Sequence, residues 1–180
     1  MDRLSGQLLV ASPVLVDPSF RRSVVLVIAH DDEGAVGLVL NHPSAAEVAE
    51  AVPPLEPLVD PGDLVAVGGP VQPEAVCVLA EWDDPAVAGT IVFEDVGLMA
   101  GDATLEHVLP ATRRRRVFAG YARWGAGQLE SELEEPSWIV ADARVEDVFG
   151  EARDLWAEVL RRKGGPYTLL ATMPEDPSLN

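Results

Sequence analysis

A chain of 180 residues, 48% of them hydrophobic, has the length of one domain with a single sizeable core and is too apolar to be disordered over most of that length. The formal net charge is −17, and between Ser23 and Thr112 there is no Lys or Arg against 16 Asp and Glu. Such a surface repels polyanions and anionic membranes, so neither nucleic-acid nor membrane binding is expected. No apolar run approaches the ~18 residues of a membrane span. The opening MDRLSGQLLVASP is too short in apolar residues for a signal peptide, and the lone Cys77 excludes an intramolecular disulfide framework. A cytoplasmic protein is the expectation.

In chain order, residues 7–11 (QLLVA) read as a buried strand closed by Ser12 and Pro13. Asp17-Pro18-Ser19-Phe20 reads as a turn, because Pro presets φ and Asp bonds the backbone beside it. Residues 23–29 (SVVLVIA) are the strongest strand, rich in β-branched side chains. Residues 35–40 return across a five-residue loop, His30-Asp31-Asp32-Glu33-Gly34, as a hairpin. Ser44 with Glu47 fits a capping box and predicts a short helix over residues 44–52. Pro53, Pro54, Pro57 and Pro61 then exclude regular structure up to about Gly62. Strands are expected at 64–67, 75–81, 90–93, 116–123 and 137–141. A short helix within 98–109 is capped by Asp102 or Thr104 and stopped at Pro110; another spans 128–134 and ends at Pro136. Residues 150–163 form the best helix, with Ala152, Leu155, Trp156, Val159 and Leu160 on one face. Its last turn, Arg161-Arg162-Lys163, complements the helix dipole, and Gly164-Gly165 provide the exit. Residues 167–171 read as a last short strand. Strands and helices mix without βα alternation, which predicts an α+β fold, one domain over residues 1–180, with a mainly antiparallel sheet.

The chemistry is sparse. There is no phosphate-binding P-loop, dinucleotide fingerprint, nucleophile elbow or Cys-x-x-Cys pair. Cys77 in its Val-Cys-Val setting reads as an inert buried thiol. The His30–Glu33 run offers ligand types for a divalent cation, but no second cluster completes a shell, so no metal site is expected, and no cofactor or catalytic residue is assigned. His42 and His107 have no evident partner. Residues 113–116, four consecutive arginines, either form an anion or nucleic-acid patch, the reading of a direct nucleic-acid binder that ranks last on charge, or enter a strand and meet carboxylates of the acidic block; the charge balance favours the second.

Residues 120–133 (GYARWGAGQLESEL) concentrate the features of a site: a strand end, Trp124 in a glycine-rich turn and a helix start. Helical spacing turns Leu129 and Leu133 inward, places Gln128 and Glu132 on an adjacent face and sends Glu130 and Glu134 to solvent. The stretch is then either a polar pocket walled by Trp124 or a structural corner in which Gly125 and Gly127 take positive φ. A pocket there would draw on Asp17, His30, Asn41, Trp124, Gln128 and Glu132, since sites gather at strand ends and turns, and His30 beside a carboxylate has the character of a general base.

Several motifs occur together in one order: Gly6–Ala11 with Pro13; Asp17-Pro18-Ser19-Phe20-Arg21-Arg22-Ser23-Val24; His30 with residues 34–41 (GAVGLVLN); Gly68-Gly69-Pro70-Val71; residues 120–130 (GYARWGAGQLE); and Trp138 and Trp156. On these the chain resembles the YqgE/AlgH family over nearly its whole length. The resemblance implies a compact α+β fold on a strongly bent, barrel-like, largely antiparallel sheet with packed helices. It implies little of mechanism: members are mostly uncharacterised, and some are labelled transcriptional regulators linked to exopolysaccharide production. Two functions compete. One is a non-enzymatic regulatory or interaction protein that acts on transcription indirectly, through a protein partner. The other is a small-molecule binder or enzyme using the corner at 120–133.

Overall fold

The computed structural model describes residues 4–151 and 154–175. In chain order the elements are β1 (Gln7–Ala11), β2 (Val24–Asp31), β3 (Gly34–Val39), β4 (Pro43–Glu47), α1 (Val48–Ala51), a 3-10 turn (Pro53–Leu58), β5 (Leu64–Val67), β6 (Val71–Trp82), a 3-10 turn (Pro85–Val87), β7 (Thr90–Phe93), β8 (Val96–Leu98), α2 (Leu105–Ala111), β9 (Thr112–Gly125), α3 (Gln128–Glu134), β10 (Trp138–Asp142), α4 (Val145–Phe149), α5 (Leu155–Lys163) and α6 (Tyr167–Leu170). They form a single α+β domain. Ten strands pair in the order β10-β1-β2-β3-β9-β6-β8-β7, with β4 and β5 joined to the side of that path. Every pairing is antiparallel except β5 with β9. The sheet is open, with β10 and β7 at its ends.

Strand alternation divides the core. Leu8, Val10, Val24 and Leu26 face Trp156 and Leu160 of α5, while Leu9, Ala11, Val25 and Val27 face the opposite way onto Trp124, Leu129 and Trp138. In the other half of the sheet, Val78, Ala80, Trp82 and Val117 pack on Val48, Leu58 and Val108. Helix α5 is fixed by Trp156, whose Nε1 donates to Ala11 O at 2.7 Å, and by Arg162, which grips the buried Asp147 of α4 through both carboxylate oxygens.

The longest strand, β9, belongs to both halves. Residues Ala122 to Gly125 pair with β3, and Thr112 to Ala119 pair with β6, which Tyr121 meets once more beyond an irregularity in the register. At the change of partner Gly120 takes φ +74°, and the chain at Gly68-Gly69 crosses it. A Cβ on Gly120 would lie 2.4 Å from Gly69 O, and one on Gly68 2.3 Å from Gly120 O. Gly68 is stitched in by its N–H to Ala119 O at 2.9 Å and by its carbonyl, which accepts from Val39 N at 2.8 Å.

Four local expectations change. The His30–Gly34 loop contracts to the turn Asp32-Glu33, because Gly34 at φ +136° lets β2 run on through His30 to Asp31. The helix expected over 44–52 is strand β4 followed by the single turn α1: β4 is held across to β5, and Ser44 Oγ accepts from Ala46 N instead of capping a helix. The four prolines do not abolish regular structure, since a 3-10 turn accommodates Pro53, Pro54 and Pro57. Residues 167–170 are helical, not a strand, because the left-handed pair Gly164-Gly165 turns the chain back and the segment packs on α5. Helix α2 does start after Thr104 but runs one residue past Pro110. Helix α5 starts at Leu155, capped by Asp154 Oδ1 on Ala157 N at 3.1 Å; Ala152 lies outside the described residues.

At the sheet's end, Trp138, Val140 and Asp142 turn their carbonyls away from β1. Two of these accept from the last turn of α5: Lys163 Nζ reaches Val140 O at 2.6 Å and Arg162 Nη2 reaches Asp142 O at 3.1 Å.

The backbone crossing predicts a sharp contrast between neighbouring glycines. Gly120→Ala should cost about 3 kcal/mol or more, combining a left-handed φ with a clash against rigid backbone. Gly125→Ala, whose Cβ would meet nothing closer than 3.9 Å, should stay within about 0.5 kcal/mol. Urea unfolding of the two variants checks both; equal stabilities would sink the assignment.

Candidate functional site

Trp124 is the last residue but one of β9 and is 3% exposed. Gly37 of the neighbouring strand makes room for it: a Cβ there would lie 3.3 Å from the indole. Phe20 and Trp138 complete an aromatic cluster, with ring centroids 5.7 to 6.3 Å apart and Trp138 edge-on to both partners. Gly127, at φ +74°, opens α3; Gly125 does not take positive φ, against the expectation for it. Gln128 Oε1 accepts from Gly125 N at 3.0 Å and so closes the turn. Leu129 is buried and Leu133 half-buried, as the helical spacing predicts. Glu132 is half-buried, and its Oε2 is sealed from solvent without a partner among the described residues.

Glu130 does not point to solvent. Its Oε1 lies 2.9 Å from Nε2 of His30, which the extension of β2 carries into the interior at 1% exposure. A carboxylate accepts only, so in the neutral ring the proton sits on Nε2, leaving Nδ1 as a buried acceptor with no partner among the described residues. The corner therefore holds an imidazole–carboxylate pair, its imidazole buried and its carboxylate partly exposed.

The other two candidates lie elsewhere. Asp17 shapes its own turn, with Oδ1 accepting from Ser19 N at 2.8 Å, and that turn delivers Phe20 to the aromatic cluster. Asn41 ties the end of β3 to the start of β2, accepting from Val24 N at 2.9 Å and donating to Arg22 O at 2.8 Å. Val24 and His30 stand six residues apart on one strand, roughly 20 Å. The six candidates thus do not converge: His30, Trp124, Gln128 and Glu132 share the corner, while Asn41 borders a hollow of about 680 Å³ with Arg21, Arg22 and His42. Burial pulls the His42 imidazole below its ordinary pKa.

The arginine run divides in two. Arg113 bonds Glu81 at 3.1 Å, Asp95 at 3.3 Å and also Asp83; Arg114 bonds Glu81 at 2.7 Å and Glu146 at 2.8 Å. These pairings, chiefly the bond from Arg114, hold the Glu81 carboxyl below the usual carboxylate range. Arg115 and Arg116 meet no carboxylate among the described residues. Arg115 donates to Leu58 O at 2.7 Å and to Thr112 Oγ1 at 2.6 Å; Arg116 donates to Val148 O at 3.0 Å, with its guanidinium 5.1 Å from the Phe118 ring. Both are half-buried beside a cavity of about 480 Å³. Sequence reasoning missed this split, because alternation on a strand gives each arginine a face but not a partner.

Among the described residues no three His, Cys, Asp or Glu side chains come together to hold a metal ion, and no helix is long and apolar enough to cross a membrane. Cys77 is half-buried, and burial pushes its thiol up to about 11.

Residues 8–168 match the model of the AlgH-like family. The chain belongs to that family. A UPF0301 protein of Thermobifida fusca is 43% identical, covering 100% of this chain and 98% of its own; one from Streptomyces coelicolor is 41% identical, with 98% and 95% covered. The crystal structure of a Corynebacterium diphtheriae protein superposes with a TM-score of 0.88 at 30% identity, over 96% of this chain and 94% of that one. The solution structure of the AlgH protein from Pseudomonas aeruginosa gives 0.72 at 27% identity, over 95% and 94%. The α+β fold expected from the family resemblance is therefore that of its solved relatives.

Two measurements follow from the titrating groups. A carboxylate whose folded pKa is depressed stabilises the fold above its unfolded pKa of about 4.3 and loses that contribution as pH falls through the folded value. Glu81→Gln should therefore cost about 1 kcal/mol at neutral pH. The deficit should close in acid; a deficit constant from pH 7 to pH 2 would contradict the ion-pair account. Cys77 should alkylate at pH 8 far more slowly than a free thiol, because its thiolate is scarce; iodoacetamide labelling followed by mass spectrometry reads this directly.

Proposed function

We propose that the protein is a cytoplasmic, non-enzymatic regulatory protein that reaches transcription through a protein partner and not by contacting DNA. The observation that carries this reading is a set of exposed apolar side chains on residues 14–16 and 169–173. Val14 and Val16 are 67% and 73% exposed, and Leu169 and Met173 are 73% and 41% exposed. Arg22 draws these segments together: it donates to Met173 O at 2.9 Å, pairs with Asp154 at 3.5 Å and stacks 4.0 Å above the Trp156 ring. Pro13, Leu15 and Met173 line one hollow beside it. Apolar side chains held out on a polar-rimmed scaffold suit a protein partner. The charge of −17 opposes DNA in the same terms as before. The corner supports this reading too, because Gln128 and His30 are committed to internal bonds.

A second reading, a small-molecule binder or enzyme at the corner, draws on the hollow of about 330 Å³ beside Trp124 and Tyr121, which Asp31, Glu33 and Arg123 also line, and on the buried, unpartnered Nδ1 of His30 and Oε2 of Glu132, which do not line it. The two readings separate in one experiment. In a strain lacking the gene, a wild-type copy should restore the transcript profile, and the double variant Val14→Asp, Val16→Asp should fail at equal protein level while Glu132→Gln succeeds. The reverse result would favour the corner. A sequence-specific, salt-sensitive gel shift with purified protein and duplex DNA would overturn the indirect mechanism.

A further inference from the structure

The cavity at the start of β9 lies between the 3-10 turn Pro53–Leu58 and the end of α4. All four arginines of the run reach it from the strand; Val59, Leu64 and Phe149 supply apolar wall, while Leu58, Val117 and Val148 behind them are almost wholly covered. Its volume, about 480 Å³, suits a small organic molecule.

The two arginines are hard to account for as structural groups. A cation withdrawn from water is costly unless an anion accompanies it. This chain has 30 acidic residues against 13 basic ones, so carboxylates are in large excess. Arg113 and Arg114, the more exposed members of the run, take four of them. Arg115 and Arg116, drawn further inside, take none among the described residues and satisfy only part of their donor sets on backbone carbonyls and Thr112. Burial lowers the Arg116 pKa below the ordinary guanidinium range, as it does for a cation lacking a counter-charge.

The carboxylates that do line the cavity are Asp60, Asp63 and Glu151, all exposed on its rim. Asp63 is already engaged, its Oδ2 accepting from Asp60 N at 2.9 Å. None lies within ion-pair distance of Arg115 or Arg116. With carboxylates on the rim and arginines behind it, a ligand carrying one compact anionic headgroup meets less repulsion than a polyphosphate or nucleic acid.

We propose that this cavity binds a small organic oxyanion, a phosphate or carboxylate headgroup on a compact apolar body, with Arg115 and Arg116 on the headgroup and Phe149, Val59 and Leu64 against the body. The site is separate from the apolar surface around Val14 and Val16 and stands whether or not that surface binds a partner.

The test is a titration of the full chain with phenyl phosphate, benzoate and inorganic phosphate at constant ionic strength in chloride, followed by thermal shift and by backbone amide NMR. Phenyl phosphate or benzoate should raise the Tm and move the amides of Leu58, residues 115–117 and residues 148–150; whichever binds tighter identifies the headgroup. Inorganic phosphate, lacking the body, should bind more weakly. Arg116→Gln should weaken binding about tenfold or more, the loss of one charge-assisted contact. Arg123→Gln, an exposed arginine at the far end of the same strand, should leave it unchanged. If Arg116→Gln does not fold, the wild-type NMR map and Arg115→Gln decide alone. Shifts confined to another surface, a response equal to that of chloride, or unchanged affinity in both arginine variants would overturn the site.

Discussion

Where β9 changes partner, two backbones pass closer than any side chain would allow. Gly120 bends the strand, and Gly68-Gly69 occupies the space a Cβ would need. Much else depends on that contact. It lets one strand of 14 residues serve both halves of the sheet, pairing with β6 up to Ala119 and again at Tyr121, and with β3 from Ala122 on. It sends the far end of β9 to the Trp124 corner and leaves the near end, with its four arginines, at the other cavity. The Trp124 corner and the arginine-lined cavity are the two ends of one strand, with a glycine between them.

The near end also settles part of the electrostatic imbalance. A block of acidic residues without internal cations is self-repelling. Strand β9 lays Arg113 and Arg114 beside β6, so that Glu81 and its neighbours Asp83 and Asp95 meet positive charge across the sheet. The sheet register thus does what the local sequence of the acidic block cannot. The same register carries Arg115 and Arg116 past the supply of carboxylates, which is why the run divides in function where it does not divide in composition.

The α+β class, most strands and the inward face of α3 were legible because they rest on periodicity, which is local. What was not legible depends on partners distant in the chain. Ser44 and Glu47 spell a helix start, yet β5 claims the segment as a strand. Glu130 has the spacing of a solvent-facing residue, yet its imidazole partner lies 100 positions earlier. Residues 167–170 are too few and too apolar to distinguish strand from helix by pattern, and packing on α5 decides. Asp17 and Asn41 look like site residues because polar groups at turns often are; here they spend their hydrogen bonds on the loops themselves.

The basic last turn of α5 has a role that helix-dipole reasoning does not reach. An open sheet ends in strands whose outer backbone groups are templates for a neighbouring molecule. At β10 two of those outward carbonyls, at Val140 and Asp142, are already occupied by Lys163 and Arg162. The helix end works as a lid on an otherwise adhesive border, and strand addition there must first displace two cations. Pairing of two copies along this border is thus opposed by two residues of a helix and not by the strand they guard.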